Sequence, residues 1–364
     1  MRGINVLLFV LIISGSVAGQ QSSENPKPPV KNIILLIGDG MGVTQVSAAI
    51  TVSKGNLNLL DFPVTGFSRT SSASDYITDS GAGATALSIG KKTYDHAIGM
   101  DADTVPQPTI LEIAEHHNKA TGMVVTSQVT HATPAAFIAH QKERYMYEEI
   151  AADFLNTDID VFIGGGLDHF TKRKDGRDLI EALESKNYQM VYNMEDLGKI
   201  NSGKIAGLLY EDKPPRVSKG RNDMLPEATE KAIEILNLTG EGFFLMVEGS
   251  QIDWGGHDNN TEYILEELID FDIAVGKALE FARKDGNTLV IVTADHETGG
   301  MAITGGDEGK GEIKAKYVSL QHTAVMVPVF AYGPGAYMFS GIYENSDIFH
   351  KMMKACDFEL NQEF

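Results

Sequence analysis

A single cysteine, Cys356, occurs in the 364 residues of this chain. One cysteine excludes an internal disulfide, a Cys-x-x-Cys redox site and any zinc site built from cysteines. Basic residues are also few. The chain has 30 lysines and arginines and 50 acidic residues, which gives a formal net charge of -20. A field of that sign repels nucleic acid and anionic lipid, which excludes a protein that binds either through a basic surface. An anionic substrate would therefore need a local positive charge, and bound metal ions supply one most simply.

The sequence also lacks an apolar run long enough to span a membrane. Its N-terminal apolar segment, residues 6–13, follows Arg2 and precedes a small-x-small sequence at residues 16–18. A positive start, a short apolar run and small residues at the end are typical of a secretory signal peptide. We therefore expect cleavage near Ala18 or Gly19, and a mature protein that is periplasmic or secreted and has no membrane anchor.

Beyond this segment, short apolar stretches alternate with stretches of helical periodicity. The predicted strands lie at residues 32–37, 122–126, 160–163, 243–247, 288–293 and 327–332. The predicted helices lie at residues 45–53, 80–89, 110–116, 147–154, 179–185, 227–236 and 263–284. Strands that are apolar on both faces and alternate with helices are typical of a mainly parallel sheet with helices on both faces. We therefore predict a signal peptide at 1–18, a flexible leader at 19–29 and a single α/β domain at 30–364, with an inserted loop near 301–322.

Acidic residues follow three of the predicted strands. Asp39, Glu248 and Asp295 each lie within two residues of a strand end. Taken singly, they fit a turn residue, a solvated strand end and a helix cap. In an open α/β sheet, however, ligands bind at the carboxyl ends of the strands, so three acids at one edge favour a metal site. Hard oxygen ligands such as Asp39, Thr133 and Glu248 suit magnesium.

Histidines accompany these acids along the chain. His296 follows Asp295 directly, and His257 follows Asp253 by four residues, about one helical turn. His322 comes after the predicted inserted loop. Aspartate and histidine that leave one coordination position open are the ligands of catalytic zinc. The pattern therefore favours zinc next to the magnesium ligands, although histidines in an acidic protein are by themselves only a weak indication.

Ser80 lies at the predicted start of a helix, among the small residues Gly81, Ala82 and Gly83. The free N–H groups and the dipole of a helix start favour a bound phosphate or an oxyanion. Ser80 could equally be a simple N-cap residue. The sequence has neither a Gly-x-Ser-x-Gly elbow nor a Ser-His-Asp order to activate a serine. As a nucleophile, Ser80 would therefore need activation by a metal ion.

Two glycine-rich segments allow other interpretations. Gly38-Asp39-Gly40-Met41-Gly42 follows a predicted strand, as a dinucleotide-binding loop does. Its third glycine is wrongly spaced, however, and Asp39 would repel a pyrophosphate, so we reject a dinucleotide site. The run of glycines at residues 164–166 is better explained as a turn at a strand end than as a phosphate cradle.

Together, these motifs resemble those of the alkaline phosphatases, in particular the compact bacterial forms from cold marine sources such as the Antarctic type. The resemblance extends over residues 30–364 and rests on six motifs in the same order. They are Gly38-Asp39-Gly40, Thr78-Asp79-Ser80-Gly81-Ala82, His131-Ala132-Thr133-Pro134-Ala135-Ala136, Glu248-Gly249-Ser250-Gln251-Ile252-Asp253, Asp295-His296-Glu297-Thr298-Gly299 and His322-Thr323.

The resemblance implies two zinc ions and one magnesium ion per chain. Its implied ligands are Asp253, His257 and His322 for the first zinc, Asp39, Asp295 and His296 for the second, and Asp39, Thr133 and Glu248 for magnesium. It also implies that Ser80 binds zinc as the nucleophile of a phosphoserine intermediate and that Arg144 clamps the phosphate. His131 and Trp254 are implied substrate-pocket residues that differ among relatives and tune phosphate affinity and pH dependence.

The implied activity is hydrolysis of small phosphate monoesters at alkaline pH, with inorganic phosphate as a product and a homodimer as the assembly. A phosphodiesterase remains an alternative, because other enzymes of the wider superfamily use the same metal scaffold. An exported protein that binds metal or phosphate without turnover is the non-enzymatic alternative. The Cys/Ser-x-Pro-x-Arg motif of sulfatases is absent from the sequence, which counts against that branch.

Overall fold

A computed structural model describes residues 30–359, so the predicted signal peptide and leader lie outside the described residues. The strands are β1 (Asn32–Gly38), β2 (Val64–Arg69), β3 (Ala120–Gln128), β4 (Val161–Gly165), β5 (Tyr188–Val191), β6 (Lys204–Tyr210), β7 (Phe243–Gly249), β8 (Thr288–Thr293), β9 (Glu297–Thr298), β10 (Ala302–Asp307), β11 (Glu312–Lys316), β12 (His322–Thr323), β13 (Val327–Tyr332) and β14 (Gly341–Glu344). The α-helices are α1 (Val43–Val52), α2 (Ser80–Ile89), α3 (Ile110–His116), α4 (Ala132–Ile138), α5 (Tyr147–Asp153), α6 (Leu167–Thr171), α7 (Ile180–Ser185), α8 (Met194–Lys199), α9 (Met224–Asn237), α10 (Gln251–His257), α11 (Thr261–Asp285) and α12 (Ser346–Cys356).

One large sheet forms the centre of the protein, with the strand order β14-β2-β13-β8-β1-β7-β3-β4-β6-β5. Within the described part of the chain, β13 is its only antiparallel strand, paired with β2 on one side and β8 on the other. Alternate residues of a strand point to opposite faces, so Ile33 and Leu35 pack in one hydrophobic cluster and Ile34 and Leu36 in another. Helices α2, α3, α4 and α12 cover the first face, and α1, α9 and α11 cover the second. The predicted α/β fold is confirmed.

The centre of the sheet brings distant parts of the sequence side by side. Ile37 of β1 pairs with Glu248 of β7 on one side and with Thr293 of β8 on the other. On the far side of β7, Val125 of β3 pairs with the same Glu248. The segments that leave these four strands therefore start together at one edge of the sheet.

The predicted strands are confirmed as β1, β3, β4, β7, β8 and β13, and the predicted helices as α1, α2, α3, α5, α7, α9 and α11. The sequence pattern missed four strands toward the two ends of the sheet, namely β2, β14, β5 and β6. Most of these strands are partly exposed, as in β2, where only Gly66 and Ser68 are buried. They therefore lack the continuous apolar run that marks a strand buried on both faces.

The segment predicted as an inserted loop near 301–322 contains an antiparallel hairpin, β10–β11. The chain then returns to the sheet through β12, which pairs with β9 and places His322 opposite Thr298. The hairpin therefore joins two segments that both reach the same edge of the sheet. Among residues 30–359, no helix combines the length and apolarity that a membrane span requires.

Candidate active site

Three carboxylates lie where β1, β7 and β8 end. Asp39, Glu248 and Asp295 are fully buried. Within residues 30–359, no hydrogen-bond partner is found for either oxygen of Asp39, for Oε1 of Glu248 or for Oδ2 of Asp295. The other oxygens are held by donors: the Ser250 hydroxyl donates to Glu248 at 2.6 Å and the Gly40 N–H to Asp295 at 3.2 Å. Buried acceptors without a donor are costly, so these atoms indicate a place for cations.

The turn after β1 depends on a glycine. Gly40 has a φ of 72°, in the left-handed region that glycine adopts without strain. A Cβ at this position would also lie only 2.8 Å from the Cα of Asp253. The missing side chain of Gly40 thus allows α10 to approach the end of β1 and bring Asp253 toward the buried carboxylates.

Asp253, His257 and His322 form a group at the cavity. The Nε2 atoms of the two histidines lie 3.2 Å apart, and they lie 3.4 Å and 3.5 Å from the Asp253 oxygens. Their Nδ1–H groups point the other way, that of His257 donating to Leu320 O at 2.6 Å and that of His322 to Thr78 O at 2.8 Å. Fixed in this way, both Nε2 atoms and the carboxylate are available to one zinc ion.

His296 connects the buried carboxylates to Ser80. Its Nε2 atom lies 3.3 Å from Asp295 Oδ2, 3.5 Å from Asp39 Oδ1 and 3.2 Å from Ser80 Oγ. The Thr298 hydroxyl lies 3.3 Å from Nδ1 of the same ring. The ligand atoms of Asp39, Asp295 and His296 all lie within 4.8 Å of one another. This second group could hold a metal ion directly beside the Ser80 hydroxyl.

A third group of ligand atoms is formed by Asp39, Glu248 and His131, again within 4.8 Å of one another. The resemblance implies Thr133 as a ligand here, and Thr133 is fully buried in the first turn of α4. His131, which the sequence assigned to the substrate pocket, is thus also placed as a possible ligand. Its Nδ1 atom is buried and has no partner among the described residues.

Helix α2 positions Ser80. Asp79 is its N-cap residue and accepts hydrogen bonds from the N–H groups of Gly81 and Ala82, at 3.1 Å and 2.9 Å. These two N–H groups are therefore already bound, unlike the free groups expected from the sequence. A Cβ on Gly83 would lie 3.0 Å from the carbonyl oxygen of Asp295, so the small residue at this position allows α2 to pack closely against the end of β8.

Arg144 lies in the loop between α4 and α5 and is bound to Asp79. Its Nη1 donates to Asp79 Oδ2 at 2.8 Å, while its buried Nε has no partner among residues 30–359. Burial favours the neutral acid at Asp79, but the Arg144 guanidinium and backbone N–H groups lower the pKa of Asp79 to about 2. One edge of the guanidinium is therefore held by an ionised carboxylate, which orients the remaining N–H groups for an anion.

Trp254 and His131 form one wall of the cavity. Their rings meet edge to face, with centroids 6.2 Å apart. Burial lowers the pKa of His131 to about 3, with repulsion from Arg144 acting in the same direction, so this imidazole is neutral at any working pH. Lys213, which the sequence did not single out, places its Nζ 4.6 Å from the centre of the Trp254 ring.

The charges of the site are unbalanced in the protein alone. Burial and neighbouring carboxylates raise the pKa of Asp39 well above its usual range, and burial raises the pKa of Glu248 to about 7 and that of Asp295 to about 8. The hydrogen bond with Asp253 raises the pKa of His257 to about 9. Crowded carboxylates bind protons in this way when no other cation is present. The donor sets and the unpartnered oxygens therefore fit a cluster of divalent metal ions.

The predicted site residues surround or underlie a cavity of about 450 Å³. Its lining includes Ser80, His131, Arg144, Asp253, Trp254, His257 and His322. A neighbouring cavity of about 820 Å³ also reaches Tyr145 but contains none of these predicted residues. The smaller cavity is therefore where a substrate would meet the nucleophile and the metal ligands.

Sequence reasoning missed several residues that shape this cavity. Asp79 gave a usable signal, because Asp before a helix start is a typical N-cap, but its ion pair with Arg144 spans 65 residues. Lys213 and Tyr145 gave no signal in the sequence, because exposed residues of loops show no periodic pattern. His96, which lines the cavity beside Asp79, has a positive φ of 74°, a feature of the structure that the sequence does not reveal.

Comparisons with known proteins point to one family. The family model described as "Alkaline phosphatase" matches residues 30–318. Alkaline phosphatase 3 of Bacillus subtilis (strain 168) is 40% identical over 320 residues, which covers 82% of this chain and 69% of that protein.

Two solved structures extend the comparison from the sequence to the fold. The alkaline phosphatase of the Antarctic bacterium TAB5 is 44% identical, with a TM-score of 0.88, and the match covers 91% of this chain and 99% of that one. A variant of the TAB5 enzyme, described with Mg bound in its M3 site, is 45% identical over the same shares of the two chains, with a TM-score of 0.87. By sequence and by fold, this chain belongs to the alkaline phosphatase family and is a phosphomonoesterase.

Proposed function

We propose that this protein is an exported, metal-dependent phosphomonoesterase that hydrolyses small phosphate monoesters at alkaline pH through a phosphoserine at Ser80. The observation that carries the proposal is the position of Ser80 Oγ, 3.2 Å from His296 Nε2 in a cavity that Arg144 also lines. A nucleophile, metal ligands and a guanidinium thus face one space large enough for a phosphate group.

The proposed cofactors are two zinc ions and one magnesium ion. Asp253, His257 and His322 would hold the first zinc. Asp39, Asp295, His296 and the Ser80 oxygen would hold the second, and Asp39, Thr133 and Glu248 would hold the magnesium. When bound, these ions would supply the positive charge that stabilises the attacking and leaving oxygens of an in-line displacement.

In the first step, Ser80 Oγ loses its proton and bonds to phosphorus, while the bond from phosphorus to the ester oxygen breaks and that oxygen takes up a proton and leaves as the alcohol. Arg144 binds two phosphate oxygens through the N–H groups that Asp79 leaves free, which orients phosphorus toward Ser80. Water then cleaves the phosphoserine, which releases inorganic phosphate and restores the hydroxyl group. His131 and Trp254 form the wall beside the phosphate and set how tightly the product is held.

Export and assembly are further parts of the proposal. Export rests on the signal-peptide pattern of residues 1–18. A homodimer follows from the family resemblance and is supported by exposed apolar side chains next to the site. Tyr76, Val318 and Leu320 are 73%, 82% and 59% exposed, and the carbonyl of Leu320 binds His257. Exposed apolar side chains such as these are available for a protein–protein contact.

The test is an assay of purified protein with p-nitrophenyl phosphate, before and after treatment with a chelator. We expect hydrolysis that the chelator abolishes and that zinc and magnesium together restore. Ser80→Ala should lose at least about a hundredfold in kcat while it still binds zinc, because only the covalent route is removed. Wild-type kcat in this variant, or recovery with calcium alone, would contradict the assignment.

The same assay separates the alternatives. Bis(p-nitrophenyl) phosphate carries one negative charge and two ester groups, so a phosphodiesterase would prefer it to the monoester. Our proposal predicts a kcat/KM for the monoester that is larger by orders of magnitude. Zinc binding without turnover of either ester would instead indicate a binding protein.

A further inference from the structure

Positive charge is scarce in the catalytic cavity. Among the described residues that line it, Arg144 is the only lysine or arginine, whereas Asp79, Asp95 and Asp253 are acidic. Arg144 is already paired with Asp79. Apart from the proposed metal ions, a phosphate monoester with two negative charges therefore meets few cationic side chains as it approaches a protein of net charge -20.

Lys213 is a cation held on Trp254, a residue of the cavity wall. Its Nζ lies over the face of Trp254, 4.6 Å from the ring centre, and Trp254 lines the cavity. Within residues 30–359, Lys213 forms no ion pair, so no carboxylate neutralises it.

The backbone on both sides of Lys213 is fixed. The carbonyl of Asp212 accepts a hydrogen bond from Gly166 N–H at 2.7 Å, and the carbonyl of Pro214 accepts one from the Gln251 side chain at 3.0 Å. A Cβ on Gly165 would lie 2.2 Å from the Asp212 carbonyl oxygen, so this segment packs directly on the end of β4. The exposed lysine is therefore carried by a rigid support, and the Trp254 ring limits where its ammonium group can lie.

We propose that Lys213, held on the face of Trp254, is a second phosphate-recognition residue, which attracts the phosphate group of the monoester into the cavity and retains the phosphate product. This inference rests on the proposed phosphomonoesterase function and deepens it. Trp254 itself has no charge, but it positions a lysine from a different segment of the chain beside the cavity. Lys213 thus opposes the protein's own negative field where the substrate enters.

The test compares Lys213→Met with the wild-type enzyme loaded with metal. Methionine keeps an apolar contact with the Trp254 ring and removes only the charge. We expect the phosphate inhibition constant to rise and kcat/KM for p-nitrophenyl phosphate to fall, each about three- to tenfold at low ionic strength. At about 0.5 M salt these differences should shrink toward unity, because ions screen an exposed charge. Calorimetric titration with inorganic phosphate should show the same weakening directly.

Lys351→Met is the matched control. Lys351, on α12, also places its Nζ over an aromatic ring, 4.3 Å from the centre of Tyr343, but Tyr343 does not line the cavity, whereas Trp254 does. This variant should match the wild type in every measurement. The inference is overturned if Lys213→Met stays within twofold of Lys351→Met at low salt, or if its effect does not depend on salt.

A double-mutant cycle with Trp254→Leu tests the role of the ring. If the ring positions the ammonium group, Lys213→Met should have a smaller effect in the Trp254→Leu background, and equal effects would overturn that part of the inference. A wild-type enzyme without monoesterase activity would contradict the proposed function instead. Phosphate titration of the wild type and Lys213→Met would then still decide whether Lys213 binds phosphate.

Discussion

At the scale of single residues, the Arg144 guanidinium binds Asp79 and is expected to bind a phosphate as well. The ion pair at 2.8 Å fixes the guanidinium, and its buried Nε is left for another acceptor. Arg144→Ala should therefore weaken phosphate inhibition and raise KM by about 10- to 150-fold, because loss of a charged bidentate contact costs about 1.5–3 kcal/mol. Kinetics with p-nitrophenyl phosphate and inhibition by inorganic phosphate measure both effects.

The variant also leaves Asp79 ionised without its partner, which adds repulsion to the phosphate. Metal content should stay close to that of the wild type, since the implied metal ligands do not include Arg144. Arg283→Ala is a suitable control, because it breaks a surface ion pair with Asp61 of similar length, 2.7 Å, outside the cavity. Unchanged phosphate inhibition in Arg144→Ala would show that another residue is the clamp.

The sequence was most informative where a residue type and its position at a strand end coincide. Asp39, Glu248 and Asp295 could be predicted as neighbours because the carboxyl ends of adjacent parallel strands must meet at one edge. Asp79 and Lys213 could not be assigned roles, because each acts on a residue at least 41 positions away through a loop conformation. Loop geometry depends on contacts such as that of Gly165 with Asp212, which leave no periodic pattern.

At the scale of elements, the strands at the centre of the sheet could be predicted from the sequence, whereas the strands at its ends could not. Strands β1, β7 and β8 are buried on both faces throughout, so their apolar runs were visible in the sequence. Strands β2 and β14 are partly exposed and have mixed composition, and their place follows from pairing with β13 and with each other. Helices α4 and α10 were missed although α3, α5 and α7 are no longer, because α4 contains a proline and α10 two glycines, residues that usually mark a turn or a break.

Helix α3 and strand β3 share a half-buried acid, Glu115, whose titration predicts a pH effect on stability. Glu115 of α3 accepts hydrogen bonds from the Thr121 hydroxyl at 3.0 Å and from the Asp158 N–H at 3.2 Å, and burial raises its pKa to about 7. A raised pKa means that the folded state holds the proton more tightly than the unfolded state. The resulting stability is complete below the unfolded pKa and is lost as pH rises through about 7.

Glu115→Gln removes this dependence, because glutamine is neutral at every pH. Relative to the wild type, the variant should gain stability between about pH 5 and pH 9, by up to about 3 kcal/mol and by less where solvent reaches the carboxyl group. Urea unfolding of the metal-loaded proteins at the two pH values measures the change. Glu195→Gln, on the surface of α8, should show the same difference from wild type at both. A Glu115→Gln difference that does not change with pH would contradict the prediction.

At the scale of the whole molecule, negative charge is concentrated as well as abundant. The net charge is -20, and four carboxylates, those of Asp39, Glu248, Asp253 and Asp295, lie buried around one site. Isolated buried charges of one sign strongly oppose folding unless protons or metal ions neutralise them. Metal binding in this protein is therefore expected to contribute to folding stability as well as to catalysis.

Removal of the metals should consequently make stability fall as pH rises. In the metal-free protein, the pKa values of Glu248 and Asp295 are raised to about 7 and about 8, and the hydrogen bond with Asp253 raises that of His257 to about 9. Each of these groups binds its proton more tightly in the folded state. Their contributions are complete below the unfolded pKa values, near 4 for the acids and 6.5 for histidine, and are lost as pH rises through the folded values.

Between pH 6 and pH 9 the metal-free protein should therefore lose stability on the order of a few kcal/mol more than the metal-loaded protein does. In the loaded protein, bound cations replace the protons and favour the ionised carboxylates, which weakens the dependence. General repulsion at the protein surface also grows with pH, but it acts on both forms and cancels in the difference between them. Urea unfolding at the two pH values, with chelator and with zinc plus magnesium, measures that difference. A metal-free protein that is as stable at pH 9 as at pH 6 would show that these buried carboxylates are neutralised by something other than protons and metal ions.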